Sequence, residues 1–557
     1  MNSRTALAWS LWVLAAGIVD GCILKTESTC DELGVPCGPM GGRSSAGGTA
    51  GEFGNGGTNG SRGGGNGLGG GGDASGGAAA GEGGAPNDCD TSKAPSVDAC
   101  VATDAHTIFV APTGSDKADG TQLTPVKTIT QALALASESG KVVIACNGKF
   151  DEHLSLKAGV RLYGGFACPG EKSPWTYQTG KRAQVAPTTP GLALEVRNVA
   201  DAVIIEDMEF ASIDAATPGE SSIAAIIESS PNVVLTRAKF VAGKGAAGAD
   251  GVSGAKGDDG LQSVGTQKGL DAACGAGAAA SQNGGSWPAD ASSCGSLGGS
   301  GGPAQKGNDG GAGFPGNPRT NVDPANVNNR GAEGTDGEDG SPGSPGISGM
   351  IGKGIADEGN FTATGFTPAA AASSGTDGFP GQGGGGGGAS NAVGPCIGAS
   401  GGAGGMGGCG GKPGTGGAGG GASVALISWS SNITLDTCEL VASNGGAGGK
   451  GGDGGLGGLG KEGAVGGAAF VDTANSISIG KGGKGGLGGN GGTGGPGAGG
   501  NGGPSVVLVV HGTVPLKLKT SMLTTGQGGT AGPGGAAGSL VGESGKVGSA
   551  TAQLSVP

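Results

Sequence analysis

The sequence predicts an all-β solenoid of stacked short strands, with glycine-rich insertions leaving from one side. Two observations carry this. First, one line of residues recurs: Leu192–Phe210, Ser222–Phe240, Ala422–Leu440 and Ser505–Leu523 align without a gap. Each copy holds two short apolar runs around a polar turn, rich in Val and Ile and too short for an ordinary helix. One copy cannot bury its apolar face alone, whereas stacked copies can. Second, glycine runs follow the same place in the repeat, after Phe240, Leu440, Ile479 and Leu523. Insertions at one place project from one flank.

Composition limits the rest. Of 557 residues 137 are Gly, and aromatics are 3%. Average usage is about 7% Gly, so much of this chain is not ordinary core. The apolar strands suffice for a core of roughly 150–200 residues. Net charge is −13, with no Lys/Arg cluster. Nucleic-acid binders carry a basic face, so nucleic acid is not an expected partner.

The N-terminus reads as an export signal over residues 1–21. Arg4 precedes an apolar run, Ala6–Ile18, too short to span a bilayer well. Val19-Asp20-Gly21-Cys22 resembles a bacterial lipobox, with Asp20 departing from the usual uncharged residue. The resemblance implies a lipid on Cys22 and a membrane attachment through it. Ile23, rather than Asp, follows the cysteine, which points to the outer membrane or cell surface. Residues 22–103, rich in Gly, Ser, Asn and Ala, then read as a flexible tether.

Residues 104–240 open the solenoid. Ile129–Ser137 is a predicted helix that Gly140 ends, followed by strands at Val142–Cys146 and Val160–Tyr163. Gly114, Ser115, Asp116, Gly120, Thr121, Pro125, Lys127, Thr128 and Ile129, with the later NGKFDEHLSL stretch, resemble the opening of the pectate-lyase-like superfamily. That resemblance implies a right-handed, single-stranded parallel β-helix whose short helix caps the first coil. Trp175 is expected to pack against that coil. In register, Ala202, Asn232, Asn432 and Pro515 share one place, where Asn is expected to bond along the stack. Gly467–Ile479 reads as a degenerate fifth copy, with Asn475 at the same place.

Residues 241–421 form the long Gly-rich, partly collagen-like insertion. Residues 422–523 resume the coils, and residues 524–557 are a Gly-rich C-terminal segment. Glycine recurs at every third residue from Gly445 to Gly466, from Gly482 to Gly503 and from Gly526 to Gly538. Three is the repeat of a polyproline-II-type chain. Collagen needs far more proline than this, so side-by-side polyglycine-II-like strands are the expected order, with disorder as the alternative. The runs also resemble, in composition, the Gly-rich (PGRS) repeats of mycobacterial surface proteins.

Twelve cysteines agree with export. Neighbours in sequence are the candidate disulfides: Cys30/Cys37, Cys89/Cys100, Cys146/Cys168, Cys274/Cys294 and Cys396/Cys409, with Cys438 left over. Connectivity is not fixed by sequence. Zinc spacing is absent and His is limited to His106, His153 and His511, so no metal site is expected. Gly448–Asp453 fits the start of a calcium nonapeptide, but Gly455 stands where an aliphatic residue belongs. Asp201, Glu206, Asp207 and Glu209 cluster in one coil, with Arg237 a rung away. Polar residues on a solvated strand face look the same, and no catalytic residue is assigned. The sequence therefore predicts a non-enzymatic, surface-anchored structural or adhesive lipoprotein without cofactor. Its expected partners are an extracellular polysaccharide or a neighbouring cell surface. The alternatives are a polysaccharide lyase or glycoside hydrolase, and a calcium-dependent binder.

Overall fold

A computed structural model describes residues 89–168, 175–292, 294–318, 336–513 and 516–557. Cys22, Cys30 and Cys37 lie outside these residues. From Val142 onward the chain runs through three sheets in turn and then repeats the circuit. The first sheet is seven-stranded: Thr107–Val110, Val142–Cys146, Val160–Phe166, Val203–Glu206, Val233–Thr236, Ile433–Asp436 and Leu516–Lys519. The second has six strands, from Lys149–Phe150 through Ala183–Val185, Met208–Ala211, Lys239–Val241 and Glu439–Val441 to Met522–Thr524. The third also has six: Leu154–Leu156, Leu194–Arg197, Ser222–Glu228, Ser423–Trp429, Ser505–His511 and Ala550–Val556. Within the three sheets neighbouring strands are parallel. This is an all-β, parallel, β-helix-like fold.

Side chains stack between coils like with like. Val203, Val233, Ile433 and Leu516 are register partners, as are Ile205, Leu235, Leu435 and Leu518. Residues two hundred positions apart thus sit on adjacent rungs, because an insertion leaves the coil and returns to it. Phe210 and Phe240 stack with ring centroids 5.3 Å apart, and Leu440 and Leu523 continue that row. The interior strands alternate buried and half-exposed residues, the period-two signature of a sheet with one face on a core.

Two corners of the later coils adopt left-handed backbone. Asp207, Arg237, Thr437 and Thr520 follow one another up the first corner, with φ of 52°, 51°, 54° and 47°. Asn198, Ser229 and Ser430, with φ of 55°, 47° and 50°, do the same at another, continued by Gly512. Non-glycine residues rarely adopt this region. At the Asp207 corner a single residue must bend the chain from one sheet into the next, between strands whose register is already fixed.

The helix spans Ile129–Ser139 and covers the start of the solenoid with Ile129, Ala132 and Ala136. Thr128 accepts a hydrogen bond from Gln131 N, and Gly140 ends the helix with φ 70°. Residues 89–103, expected within the tether, belong to the folded part. From Cys89 the chain is folded: Cys89 is bonded to Cys100, and Val101 is fully buried against the outer face of the first sheet. Trp175 packs on the same outer patch. Its ring lies 4.8 Å from Phe109, and its Nε1 donates to Gln122 O at 3.1 Å.

The glycine insertions are ordered side by side. Gly446, Gly449 and Gly452 donate backbone N–H groups to Gly421, Ala418 and Thr415. Gly503, Gly500 and Gly497 in turn donate to Gly446, Gly449 and Gly452. The bonds recur at every third residue, which a β-ladder of period two cannot produce. The run Gly337–Gly352 of the collagen-like stretch donates to residues 481–496 of the same chain, so its partners are intramolecular.

Several expectations change. Gly467–Ile479 is not a coil: Phe470–Asp472 and Ile477–Ile479 form an antiparallel hairpin within an insertion. Asn475 there bonds Asp472 rather than a stack. Residues 524–557 are not only a Gly-rich tail, because Ala550–Val556 is the last strand of the third sheet. Cys89–Cys100 and Cys146–Cys168 are neighbour pairs, but the other four cysteines cross: Cys274 bonds Cys396 and Cys294 bonds Cys409. Folding of the long insertion brings back to Cys274 and Cys294 segments that lie 122 and 115 residues on. Cys438 is free and buried.

Candidate functional site

The carboxylates singled out in the sequence lie on the solenoid, and the fold separates them into three groups. Glu206 ends a first-sheet strand, and Asp207 occupies the corner after it. One coil on, Arg237 occupies the same corner. Its left-handed backbone aims the side chain back along the stack. Arg237 Nε donates to Asp207 Oδ1 at 2.9 Å, and Nη2 donates to Asp207 Oδ2 and Glu206 Oε2, both at 2.8 Å. Tyr177 OH donates to Asp207 Oδ2 at 3.0 Å. Arg182 Nε in turn donates to the Arg237 carbonyl at 2.7 Å, and its Nη2 to Glu439 Oε1 at 3.0 Å.

Electrostatics follow from this packing. Burial, with the charge of Asp207, pushes the Glu206 carboxyl up, while Arg237 pulls it down. The Asp207 hydrogen bonds hold the Arg237 guanidinium firmly in its charged form. Tyr163, the register partner of Glu206, is pushed up to about 12, first by burial and then by the Glu206 charge. Two acids share one cation whose donors already meet both.

The other two acids stand apart. Glu209 belongs to the second sheet, where Gln184 Nε2 donates to it at 2.9 Å and Lys239 Nζ lies 3.8 Å away. Asp201 lies at the far end of the Val203–Glu206 strand, about 16 Å from Glu206 at strand rise. Paired glycosidase carboxylates stand roughly 5–9.5 Å apart, so Asp201 and Glu206 do not form such a pair. Asp201 instead borders a groove of 570 Å³ between the cap helix and the corner, with Leu133, Lys141, Lys157 and Arg161.

The remaining motifs resolve into local structure. Lys450 Nζ meets Asp453 Oδ1 at 3.0 Å, and the Ala536 backbone N–H donates to the same oxygen at 2.8 Å. The calcium-like hexapeptide therefore turns its one carboxylate to protein partners. No group of three or more metal-ligating side chains occurs among the described residues. His153 is held by Leu192 O and Thr189 Oγ1 at 2.8 and 2.9 Å. His511 stacks on Trp429 at 3.8 Å. At the shared Asn place, Asn232 Nδ2 donates to Ala200 O one coil down at 3.0 Å. Pro515 lies outside the described residues.

Sequence reasoning missed a serine row. Ser222, Ser423 and Ser505 are register partners at the start of third-sheet strands. Each hydroxyl donates across the neck of the loop or insertion just completed, to Ile213 O, Gly243 O and Ser443 O, all at 2.7 Å. In the gapless alignment Ser222 and Ser505 share a column while Ser423 stands one place on, after Ala422, so the row appears only in the structural register. A buried Ser230–Ser431 pair also went unread: Ser230 N donates to Ser431 Oγ at 3.0 Å.

Sheets, corners and insertion necks together define the class: a parallel β-helix-like protein that carries a glycine lobe. A family model described as "Protein of unknown function (DUF1565)" matches residues 112–236. That span runs from the cap through the first-sheet strand Val233–Thr236. No curated protein and no solved structure matches the chain. No helix among the described residues is long and apolar enough to cross a membrane.

Proposed function

We propose that this chain is a non-enzymatic structural or adhesive protein of the bacterial envelope. In this reading it is exported, acylated at Cys22, and displayed at the outer membrane or cell surface. A right-handed, single-stranded β-helix of the pectate-lyase-like kind carries a polyglycine-II-like lobe. Right-handedness is the rule for parallel crossovers. One observation carries the functional reading: the lobe interior is backbone against backbone, and only its outer residues vary. Gly381–Ser390 and Ala399–Gly408 are buried throughout, which suits a rigid display surface better than a cleft for chemistry. The likeness to PGRS repeats points the same way. Its partner would be an extracellular polysaccharide or another cell surface.

The carbohydrate-active alternative has one observation in its favour, the raised Glu206 carboxyl, since a general acid needs such a shift. Against it, Arg237 closes that carboxylate. The experiment is incubation of purified protein with polygalacturonate and other acidic glycans, with and without calcium. Unchanged glycans are expected; chain cleavage would replace the structural reading with the enzymatic one. Calorimetry against calcium tests the binder alternative, with no heat expected. Mass spectrometry of the mature N-terminus should find acyl chains on Cys22.

A further inference from the structure

One row of glycine N–H groups in the lobe is only half used. Gly445, Gly448, Gly451 and Gly454 donate to the carbonyls of Gln527, Thr530, Pro533 and Ala536, at 2.9, 2.9, 2.9 and 3.0 Å. Residues 527–536 thus lie as a covering strand along the first half of the 445–467 strand. Side chains beside the slot complete the fit: Asn444 Oδ1 accepts from Gln527 N at 2.9 Å, and Asp453 Oδ1 from Ala536 N at 2.8 Å. The cover then stops. Gly538, with φ 61°, turns the chain back through a short hairpin, Ala536–Ala537 with Leu540–Val541.

The row itself does not stop. Gly457, Gly460, Gly463 and Gly466 continue it with the same spacing. Gly457, Gly463 and Gly466 N–H find no acceptor among the described residues. Gly460 N donates at 3.0 Å to Asn490 Oδ1, a side-chain amide standing where a strand carbonyl would. The neighbouring side chains change character as well. Beyond the cover the exposed positions are Leu456 (64% exposed), Leu459 (49%) and Val465 (51%), with Leu487 (45%) on the adjoining 482–503 strand. A Glu462–Lys484 ion pair crosses between the two strands.

We propose that this length of the lobe is a binding slot for an extended glycine-triplet strand of another polypeptide. The occupant would add to the array as an edge strand adds to a sheet. Its backbone carbonyls would accept from Gly457, Gly463 and Gly466, and it would displace the Asn490 amide from Gly460. Its non-glycine side chains would lie over the leucines. Glycine at every third residue is required, because the chains pack with their backbones in contact. The 527–536 strand meets the same demand in the same line, with Gly526, Gly529, Gly532 and Gly535. From Gly457 to Gly466 the slot is about 28 Å long at the rise of such a chain, which three to four triplets fill. The inference deepens the adhesive reading by naming a partner chemistry, and it rests on that reading for its biological sense.

The test is a fluorescence-anisotropy titration of the full chain with a labelled peptide, GQGGTAGPGGAA, copied from Gly526–Ala537. A control peptide carries Val at each third-position glycine. Saturable binding of the first peptide and none of the control is expected. Replacing Leu459 and Leu487 together by Ser should weaken binding about tenfold, and Asn490→Ala should strengthen it. Both changes are on the surface, and unchanged melting temperatures would confirm that the lobe is intact. Equal binding of both peptides, or no binding to either the natural chain or N490A, overturns the proposal. So does a dimer in sedimentation velocity that the double Ser variant dissolves, which would give the slot to a second copy. Glycan turnover is a separate readout, so the two readings fail independently.

Discussion

A methyl group added at Gly404 would sit 1.9 Å from the carbonyl oxygen of Gly384. The obstacle is the backbone of Gly384 and Gly385, which has no side chain to swing aside. Gly404→Ala should therefore cost the lobe about 1–3 kcal/mol or more, read as a lower melting temperature. Gly277→Ala is the control, since an added Cβ there meets nothing within 4 Å; its melting temperature should not move. Arg237 is a second single-residue test. Asp207 is 2% exposed, and Arg237→Ala would leave it buried without its cation. A loss of about 3 kcal/mol is expected in chemical denaturation. The surface aspartates set an acid limit. Hydrogen bonds from Leu459 N, Lys256 and Lys461 hold Asp259 well below the usual carboxylate range, and those from Ala536 N and Lys450 lower Asp453. A lowered folded value means that their contribution is complete above about pH 4 and drains away as pH falls further. The lobe should lose melting temperature only below that point.

Strands of the lobe carry as many glycines as their neighbours demand. The 245–260 strand, on the rim, has Gly at one position in three, and its other residues are largely exposed. The 445–467 and 482–503 strands have Gly at about two in three; the first exposes Lys450, Leu456, Leu459, Glu462 and Val465, the second only Leu487 and Asn490, with 494–503 buried. Gly383–Gly388 has no other residue and is buried throughout, bonded to strands on several sides. Each added neighbour removes the room for one more side chain. Amide hydrogen exchange would display this period. Gly448, Gly451 and Gly454 should exchange slowly and Gly457 and Gly466 fast, along one continuous strand. Equal protection of both halves would contradict the bonding described here. The serine row belongs to this scale too. Ser423 is fully buried, donating to Gly243 O and accepting from Ser443 N. Ser423→Ala should cost about 1–3 kcal/mol, because a neck carbonyl and an N–H lose their partner together.

Across the molecule, the solenoid supplies the registered start and finish from which each glycine excursion departs. The longest excursion leaves after Val241 and returns at Ser423, yet those ends lie on adjoining rungs. Its two disulfides close loops of 122 and 115 residues within the lobe. By chain entropy a loop of that size contributes roughly 5 kcal/mol. Replacing Cys274 and Cys396 together by Ser should lower the lobe's melting temperature, while the solenoid strands keep their far-ultraviolet signal. The last coil presents three terminal strands, Leu516–Lys519 of the first sheet, Met522–Thr524 of the second and Ala550–Val556 of the third, and the first of these is guarded. It pairs on one side only and alternates Leu with Lys. Lysines on an edge strand hinder further pairing.

The repeat, its strands and the flank from which insertions leave were legible in the sequence, because local hydrophobic alternation and a fixed insertion point write them directly. The period of three in the glycine runs was legible for the same reason: every strand must present the same residue to its neighbour at each turn. What the sequence left open depends on residues far apart along the chain. Which cysteines meet, which carboxylates Arg237 captures, and which glycine N–H groups go uncovered are set by how the excursions lie against one another. Only the tertiary structure decides these, since contacts between segments 30 to 200 residues apart leave no local trace.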